Sequence, residues 1–533
     1  MLGIPGGDDK MPDLSPDGLE AVAELERTFL ADIAAAQPED DVDRVTQAAV
    51  AERHGLNLEL HEAGENYRDL NIISSPVQGL REIFDLMPTD TVGDWENIAA
   101  RMRALPASLS GYQESLSLGA ERGLLPAARQ IAEVVKQIDA VADRDASFFT
   151  SLAADAAIAE GDLPSSLATE LGEAAKDARQ AYADLGAFLT TELGQLAPEE
   201  EGVGRERYQR FSRYFLGASI DLDETYEWGR EILAEIVMEQ ESVAAELYGS
   251  GTSIAEAVER LNNDPARQLH GTDALQEWMQ GIADQAVAEL DGTHFDIPEP
   301  VRRIECCIAP TQSGGIYYTP PNADFSRPGR MWWSVPAGIE TFGTWLEKTT
   351  VYHEGVPGHH LQLGQTVYRE ALLNSWRRMF CWVSGHGEGW ALYAECLMED
   401  LGYLSDPGDR MGMLDAQRFR AARVVLDIGV HLGKPLPKEL GDGAWDRESA
   451  WRFLLANASM DRKSLAFELN RYLGWPGQAP SYKVGQRLWE QIRDDAASSA
   501  EARGEEFDLK AFHRRALDVG SVGLDTLRDA LAR

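Results

Sequence analysis

The sequence predicts a mainly α-helical protein carrying one small β-sheet. Three observations predict it. Ala, Leu, Val and Ile recur at three- and four-residue spacings through most of the chain, the period of a helix with one buried face. Pro and Gly fall mostly between those segments, where helices stop. Only residues 293–336 break the pattern, with short aromatic runs bounded by Gly and Pro. At 533 residues the chain is too long for one compact core, so two lobes are expected, 1–290 and 291–533.

In chain order, residues 19–36, 77–87, 127–141 and 171–193 read as amphipathic helices. Residues 205–248 continue the pattern through Tyr208, Phe211, Tyr214, Phe215, Tyr226, Trp228, Ile232 and Ile236. These N-terminal helices are expected to form the wall or lid of a groove. Residues 293–308 are short and Pro-punctuated. Residues 315–321 and 329–336 then read as two strands bounded by turns, in a small sheet along that groove. Helical spacing returns after residue 339, in 410–432, 461–473 and 482–497.

Charge narrows the function. The formal net charge of −40 repels phosphate backbones and anionic lipid surfaces, which argues against nucleic acid and membrane partners. No run of about 18 consecutive apolar residues occurs, so no membrane-spanning helix is predicted. The four cysteines form no C-x-x-C pair and are too few for a disulfide scaffold. Residues 1–14 contain neither a basic nor an apolar leader region. A cytoplasmic protein is expected.

Five of the ten histidines, His353, His359, His360, His386 and His431, fall directly after the strand pair. The central string runs from Tyr352-His353-Glu354-Gly355 through Val356-Pro357-Gly358 to His359-His360. Zinc hydrolases place two imidazoles four residues apart on one helix face, with a Glu beside the activated water. Here the spacing is H-E-x-x-x-x-H-H. On a regular helix His353 and His359 would diverge by roughly 120°, and His360 would lie roughly 10 Å further along. Pro357 must break or bulge such a helix, and Gly355 and Gly358 permit the bulge. That bulge lets His359 take the second-ligand position, with His360 as the alternative. Isolated, the string would read as a Pro-Gly turn with incidental histidines.

A second string shifts the balance: Gly385-His386-Gly387-Glu388-Gly389-Trp390, continuing to Glu395. Glu388 lies far enough downstream to arrive on a neighbouring helix as a third ligand. Glu395, two turns on, can support a histidine from behind. Two His and one Glu leave a fourth zinc position for water, with Glu354 as general base.

At these residues the chain resembles the bacterial domain-of-unknown-function family 885. The resemblance spans most of the chain, including residues 206–229, 423–431 and 475–485. It implies a gluzincin-like metallopeptidase fold with a deep cleft, similar to the carboxypeptidase Taq family. It also implies one zinc ion on His353, His359 and Glu388, and Glu354 as base. Gluzincins draw oxyanion donors from C-terminal helices, which nominates Tyr482 and His431. His360, Glu395, His386, Tyr317 and Tyr318 are expected behind the ligands or facing substrate, and an exposed strand edge could hold an extended peptide.

The expected activity is zinc-dependent hydrolysis of peptide bonds. A hydrolase of a non-peptide amide or ester, and a non-catalytic helical binding protein, are the alternatives. A di-iron bundle is set aside because its two Glu-x-x-His pairs are missing. An exopeptidase working from the C-terminus would need a cation for the terminal carboxylate, from among Arg327, Arg330, Lys483 and Arg487.

Overall fold

The computed structural model describes residues 6–144, 146–310 and 315–532. Met1 to Pro5 of the stretch read for a leader lie outside these. Helix dominates, as expected, and among the described residues no helix is long and apolar enough to cross a membrane.

The chain divides into two compact units. The first comprises residues up to Ala35, His54–Gly202 and Phe467–Trp475. Its long helices Val92–Glu121 and Ser165–Phe188 pack along each other, burying Trp95, Met102, Leu105, Leu109, Tyr182 and Leu185. Polar atoms entering this core are bonded to backbone: Tyr182 donates to the Val77 carbonyl at 2.9 Å and Tyr112 to that of Asp69 at 2.6 Å. The segment 467–475 joins this unit because the Gln130 amide reaches the Asn470 carbonyl at 2.9 Å.

The second unit comprises Ala36–Arg53, Val203–Ala466 and Pro476–Arg533. The expected boundary at residue 290 therefore falls inside it, for a packing reason. Gly229 of the helix Leu222–Tyr248 sits against Val424 and Val425 of the helix Pro407–His431, so the two lie side by side. The helical pattern read over 205–248 is divided between two helices. The first stops at Gly217, whose φ of 59° no L side chain adopts readily, and the second starts at Leu222, capped by Asp221.

Five strands occur among the described residues. β1 (Gln268–His270) pairs antiparallel with β5 (Thr341–Gly343), a two-stranded ribbon the sequence reading missed. β2 (Ile304–Ile308), β3 (Ile316–Thr319) and β4 (Gly329–Trp333) form the expected small sheet, in the order β2-β4-β3. It is mixed: β2 runs parallel to β4, and β3 antiparallel with Ile316 opposite Trp333. The helix Thr272–Leu290 covers one face through Leu275, Met279 and Ala283. Its Gln276 and Gln280 side chains bond the backbone of Cys306 and Ile304, which closes the β2 edge. β3 is the outer strand on the other side.

Candidate metal centre

The H-E…H-H string does not bulge within one helix; it divides between two. The helix Thr344–Glu354 ends with His353 and Glu354 in its last turn, and a new helix, His359–Tyr368, begins at His359. Gly355 and Gly358 are required by close approach. A Cβ on Gly358 would meet the His353 carbonyl oxygen at 1.9 Å, and one on Gly355 the Val351 oxygen at 2.5 Å. Trp390 fixes the turn by donating from Nε1 to the Pro357 carbonyl at 2.8 Å. The break swings the His359 ring to within 4.9 Å of the His353 ring, with the planes at 89°.

Glu388 arrives from the helix Ser384–Asp400, whose glycines have a packing cause. Gly385 and Gly389 lie against Gly485 of the helix Ser481–Ala502, backbone against backbone. Glu388 Oε2 then stands 3.4 Å from an Nε2 on each side, that of His353 and that of His359. In a tetrahedron of zinc bonds of about 2.0–2.1 Å, neighbouring ligand atoms lie about 3.3–3.4 Å apart. His353 Nδ1 bonds Glu395 Oε1 at 2.8 Å, and the other Glu395 oxygen accepts from Thr349 at 2.6 Å. A carboxylate can only accept, so Nδ1 carries a proton, and Nε2 is the nitrogen that would give up its own proton and face a metal shared with Glu388. Two imidazole nitrogens and a carboxylate oxygen facing one point are held together either by protons on the imidazoles or by a metal cation between them. His353, Glu354 and His359 also bring one ligand atom each within 4.8 Å of one another.

The electrostatics agree. Burial alone would lower His353, yet Glu388, Glu395 and Glu354 push it up to about 9. Burial raises Glu388, but the hydrogen bonds of His353 and His359 outweigh it and hold the carboxyl far below its usual range. Glu354 moves the other way: burial raises its carboxyl, and the Glu388 charge adds to this against the pull of the histidines and Arg420. Three carboxylates around two imidazoles leave surplus negative charge that a divalent cation would neutralise. The donor set fits zinc, and a two-His, one-Glu set leaves a coordination position open.

His353, Glu354, His359 and Glu388 line a cavity of about 590 Å³ with Ile316, Tyr317, Tyr318 and Tyr482. The other expected site residues are distributed unevenly. His360 turns away from His359: its Nε2 bonds the Val301 carbonyl at 2.7 Å and its Nδ1 the Tyr318 hydroxyl at 2.9 Å, which leaves no nitrogen for a metal. Tyr317 stacks on Trp332 at the exposed side of the sheet. His431 and His386 are absent from the described lining. His431 is fully buried beside Asp427 and against the Tyr208 ring, and His386 packs edge-on to Trp489. Asp427 accepts from Tyr208 at 2.7 Å and from the Gly477 amide at 2.9 Å, anchoring the loop that leads to Tyr482.

None of the four cations considered for a terminal carboxylate lines this cavity. Arg330 pairs with Glu305, Arg487 with Glu224, and Arg327 bonds backbone carbonyls. Lys483 is buried against Gln417 and Gln486, in a separate cavity of about 250 Å³. The sequence reading missed Arg420 and Arg423, which do line this cavity, with Arg423 over the Tyr482 ring at 5.0 Å. It also missed Glu347 and Trp382 on the same lining, and Thr349 behind Glu395. Helical spacing held the first signal: Asp415, Phe419, Arg420 and Arg423 share one face.

A profile of the family described as "Bacterial protein of unknown function (DUF885)" matches residues 1–531. The chain belongs to that family. Among solved structures, one described as "the putative lipoprotein from Colwellia psychrerythraea" superposes with a TM-score of 0.84 at 22% identity, over 98% of this chain and 92% of that one. Another, "a putative lipoprotein of unknown function from Shewanella oneidensis", gives 0.75 at 16% identity, over 100% and 95%. At these identities the likeness establishes a shared fold. No curated protein matches the sequence.

Proposed function

We propose that this protein is a zinc-dependent metallopeptidase. One observation carries the reading: His353 Nε2 and His359 Nε2 each stand 3.4 Å from the same Glu388 oxygen, the ligand spacing of a tetrahedral zinc site. Bound zinc would acidify a water and polarise the scissile carbonyl. Glu354, beside this cluster with a carboxyl raised by burial, would take the proton from the attacking water and pass it to the leaving amine. Glu395 fixes the His353 tautomer and ring plane. Tyr482, on the cavity wall, is the hydroxyl that would donate to the carbonyl oxygen as charge develops. His431 is not part of this reading, because its imidazole is buried outside the cavity lining.

A metal-activated water does not choose its carbonyl, so hydrolysis of a non-peptide amide or ester uses the same groups. The specific observation favouring peptides is β3. It is an outer strand, and Ile316, Tyr317 and Tyr318 of it line the cavity, where an extended peptide can pair with main chain. On location, the cytoplasmic reading competes with envelope attachment, suggested by the lipoprotein description of both structural neighbours. Cell fractionation decides between them.

The test is metal analysis with a peptide-library digest of the wild type and Glu354→Gln. The expected outcome is one zinc per chain in both proteins, with turnover reduced about 10²–10⁴-fold in the variant. Equal turnover in both would sink the mechanism, and a wild type that binds no zinc would sink the reading. A wild type that binds zinc, cleaves no peptide and splits amide or ester substrates would select the second reading.

A further inference from the structure

The helix that carries His353 presents a second face-mate to the cavity. Leu346, Glu347, Thr350, His353 and Glu354 all line it, at the spacing of one helical stripe. Glu347 differs from every other carboxylate there. Glu354 and Glu388 belong to the metal cluster, and Asp415 accepts from Ser459 at 2.7 Å. Glu347 has no hydrogen-bond or ion-pair partner among the described residues. The cavity's cations do not reach it. Arg420 acts on Glu354, Glu395 and Asp415, whereas burial alone raises the Glu347 carboxyl, to about 7.

A half-buried carboxylate on a cavity wall without a partner is unfavourable, and proteins normally pair or bond such groups. The bland account is the helix dipole: Glu347 sits in the first turn, where negative charge is favoured by about 0.3–1 kcal/mol. That effect does not supply a partner. A charged ligand group would, and it would gain from meeting its counter-charge away from bulk water.

We propose that Glu347 is a specificity-determining residue that receives a cationic group of the substrate, an ammonium or guanidinium. This rests on the peptidase reading above and adds a substrate class to it. Six residues separate Glu347 from His353, about 9 Å along the helix. A lysine or arginine side chain near the scissile bond bridges that span, and so does a free amino terminus a residue or two away. The apolar aliphatic stem would lie along Leu346 and Thr350.

The experiment uses the full chain, loaded with zinc, and end-blocked peptides in which lysine is scanned through each position. Matched peptides carry norleucine, which keeps the stem and removes the charge. A third set has norleucine and a free amino terminus. In the wild type one lysine position should exceed its norleucine match at least tenfold in kcat/KM. In Glu347→Gln that ratio should fall to about one, and Glu347→Asp, which keeps the charge, should retain the preference in direction. If the free-terminus set carries the ratio instead, the cation is the terminal amine. A ratio unchanged in Glu347→Gln, or no preference in any set, overturns the proposal.

The same ratios are read as dissociation constants on Glu354→Gln by calorimetry, with Glu347→Gln added in the same background. Cation-selective binding that Glu347→Gln removes, without cleavage in the wild type, leaves this inference standing while the peptidase reading falls. Cleavage without any charge preference does the reverse, and no binding of any peptide overturns both.

Discussion

The two units solve burial in different ways. In the first, the interior is filled by Trp95, Met102, Leu105, Leu109, Tyr182 and Leu185, and the Tyr112 and Tyr182 hydroxyls there bond backbone. In the second, the interior around the His353–His359–Glu388 cluster holds His353, Glu354, His359, Glu395, Asp415 and Asp427 among apolar neighbours. Desolvating charged groups is unfavourable unless each meets a partner. The first unit's interior is mainly apolar, whereas the second concentrates buried ionisable groups, the arrangement expected where pKa values are shifted for a function. Substitutions in the two units should fail differently.

The largest contrast is between His359 and its neighbour. His359→Ala should abolish stoichiometric zinc, while His360→Ala keeps the metal, because the His360 nitrogens are committed to Val301 and Tyr318. Elemental analysis of the two purified variants checks this; the reverse result would exchange their roles. Leu185→Ala should mirror that effect in the first unit, lowering unfolding free energy by about 2–5 kcal/mol and leaving zinc content unchanged. Denaturant titration read beside metal analysis separates the two kinds of failure.

Smaller effects sharpen the comparison. Glu395→Gln should weaken zinc binding about 10–100-fold without removing a ligand, measurable by chelator competition. His513 tests the second unit by acid. It stacks on Phe295 at 4.9 Å and bonds the Tyr393 hydroxyl, and burial, with the nearby Arg493 charge, lowers its pKa from 6.5 to about 3. Below pH 6.5 the unfolded chain takes a proton that the folded imidazole refuses. This residue's contribution to stability should therefore be lost progressively between pH 6.5 and about 3, by about 1.4 kcal/mol per unit. Stability curves of the wild type and His513→Phe should run parallel above and below that window and diverge in slope within it; identical slopes between pH 6.5 and about 3 would refute the assignment.

Much of this was legible in the sequence, and the gaps have physical causes. Periodicity located the helices at 128–142, 407–431 and 481–502 to within about five residues, because apolar residues recur in each at three- and four-residue spacing. It missed β1 and β5, three residues each, too short for alternation to register. His353, His359 and Glu388 stood out because broken-helix spacing and a downstream Glu are joint constraints. His431 and His386 looked equivalent to them, since a histidine's letter carries no information about which way its ring turns. Arg420, Arg423 and Glu347 could be found only after helices were set around a common cavity. Their role depends on neighbours distant in the chain.

The glycine contact between the Glu388 and Tyr482 helices has a consequence for mutational scanning. A Cβ on Gly389 would meet the Gly485 carbonyl carbon at 2.4 Å, and one on Gly485 the Gly385 oxygen at 2.2 Å. Adding a single methyl there pries apart the two helices that carry Glu388 and Tyr482 to the same cavity. Deep substitution profiles should thus rank these glycines as intolerant as the ligands themselves. A reader of such a profile would place them at the chemistry, although they touch neither metal nor substrate.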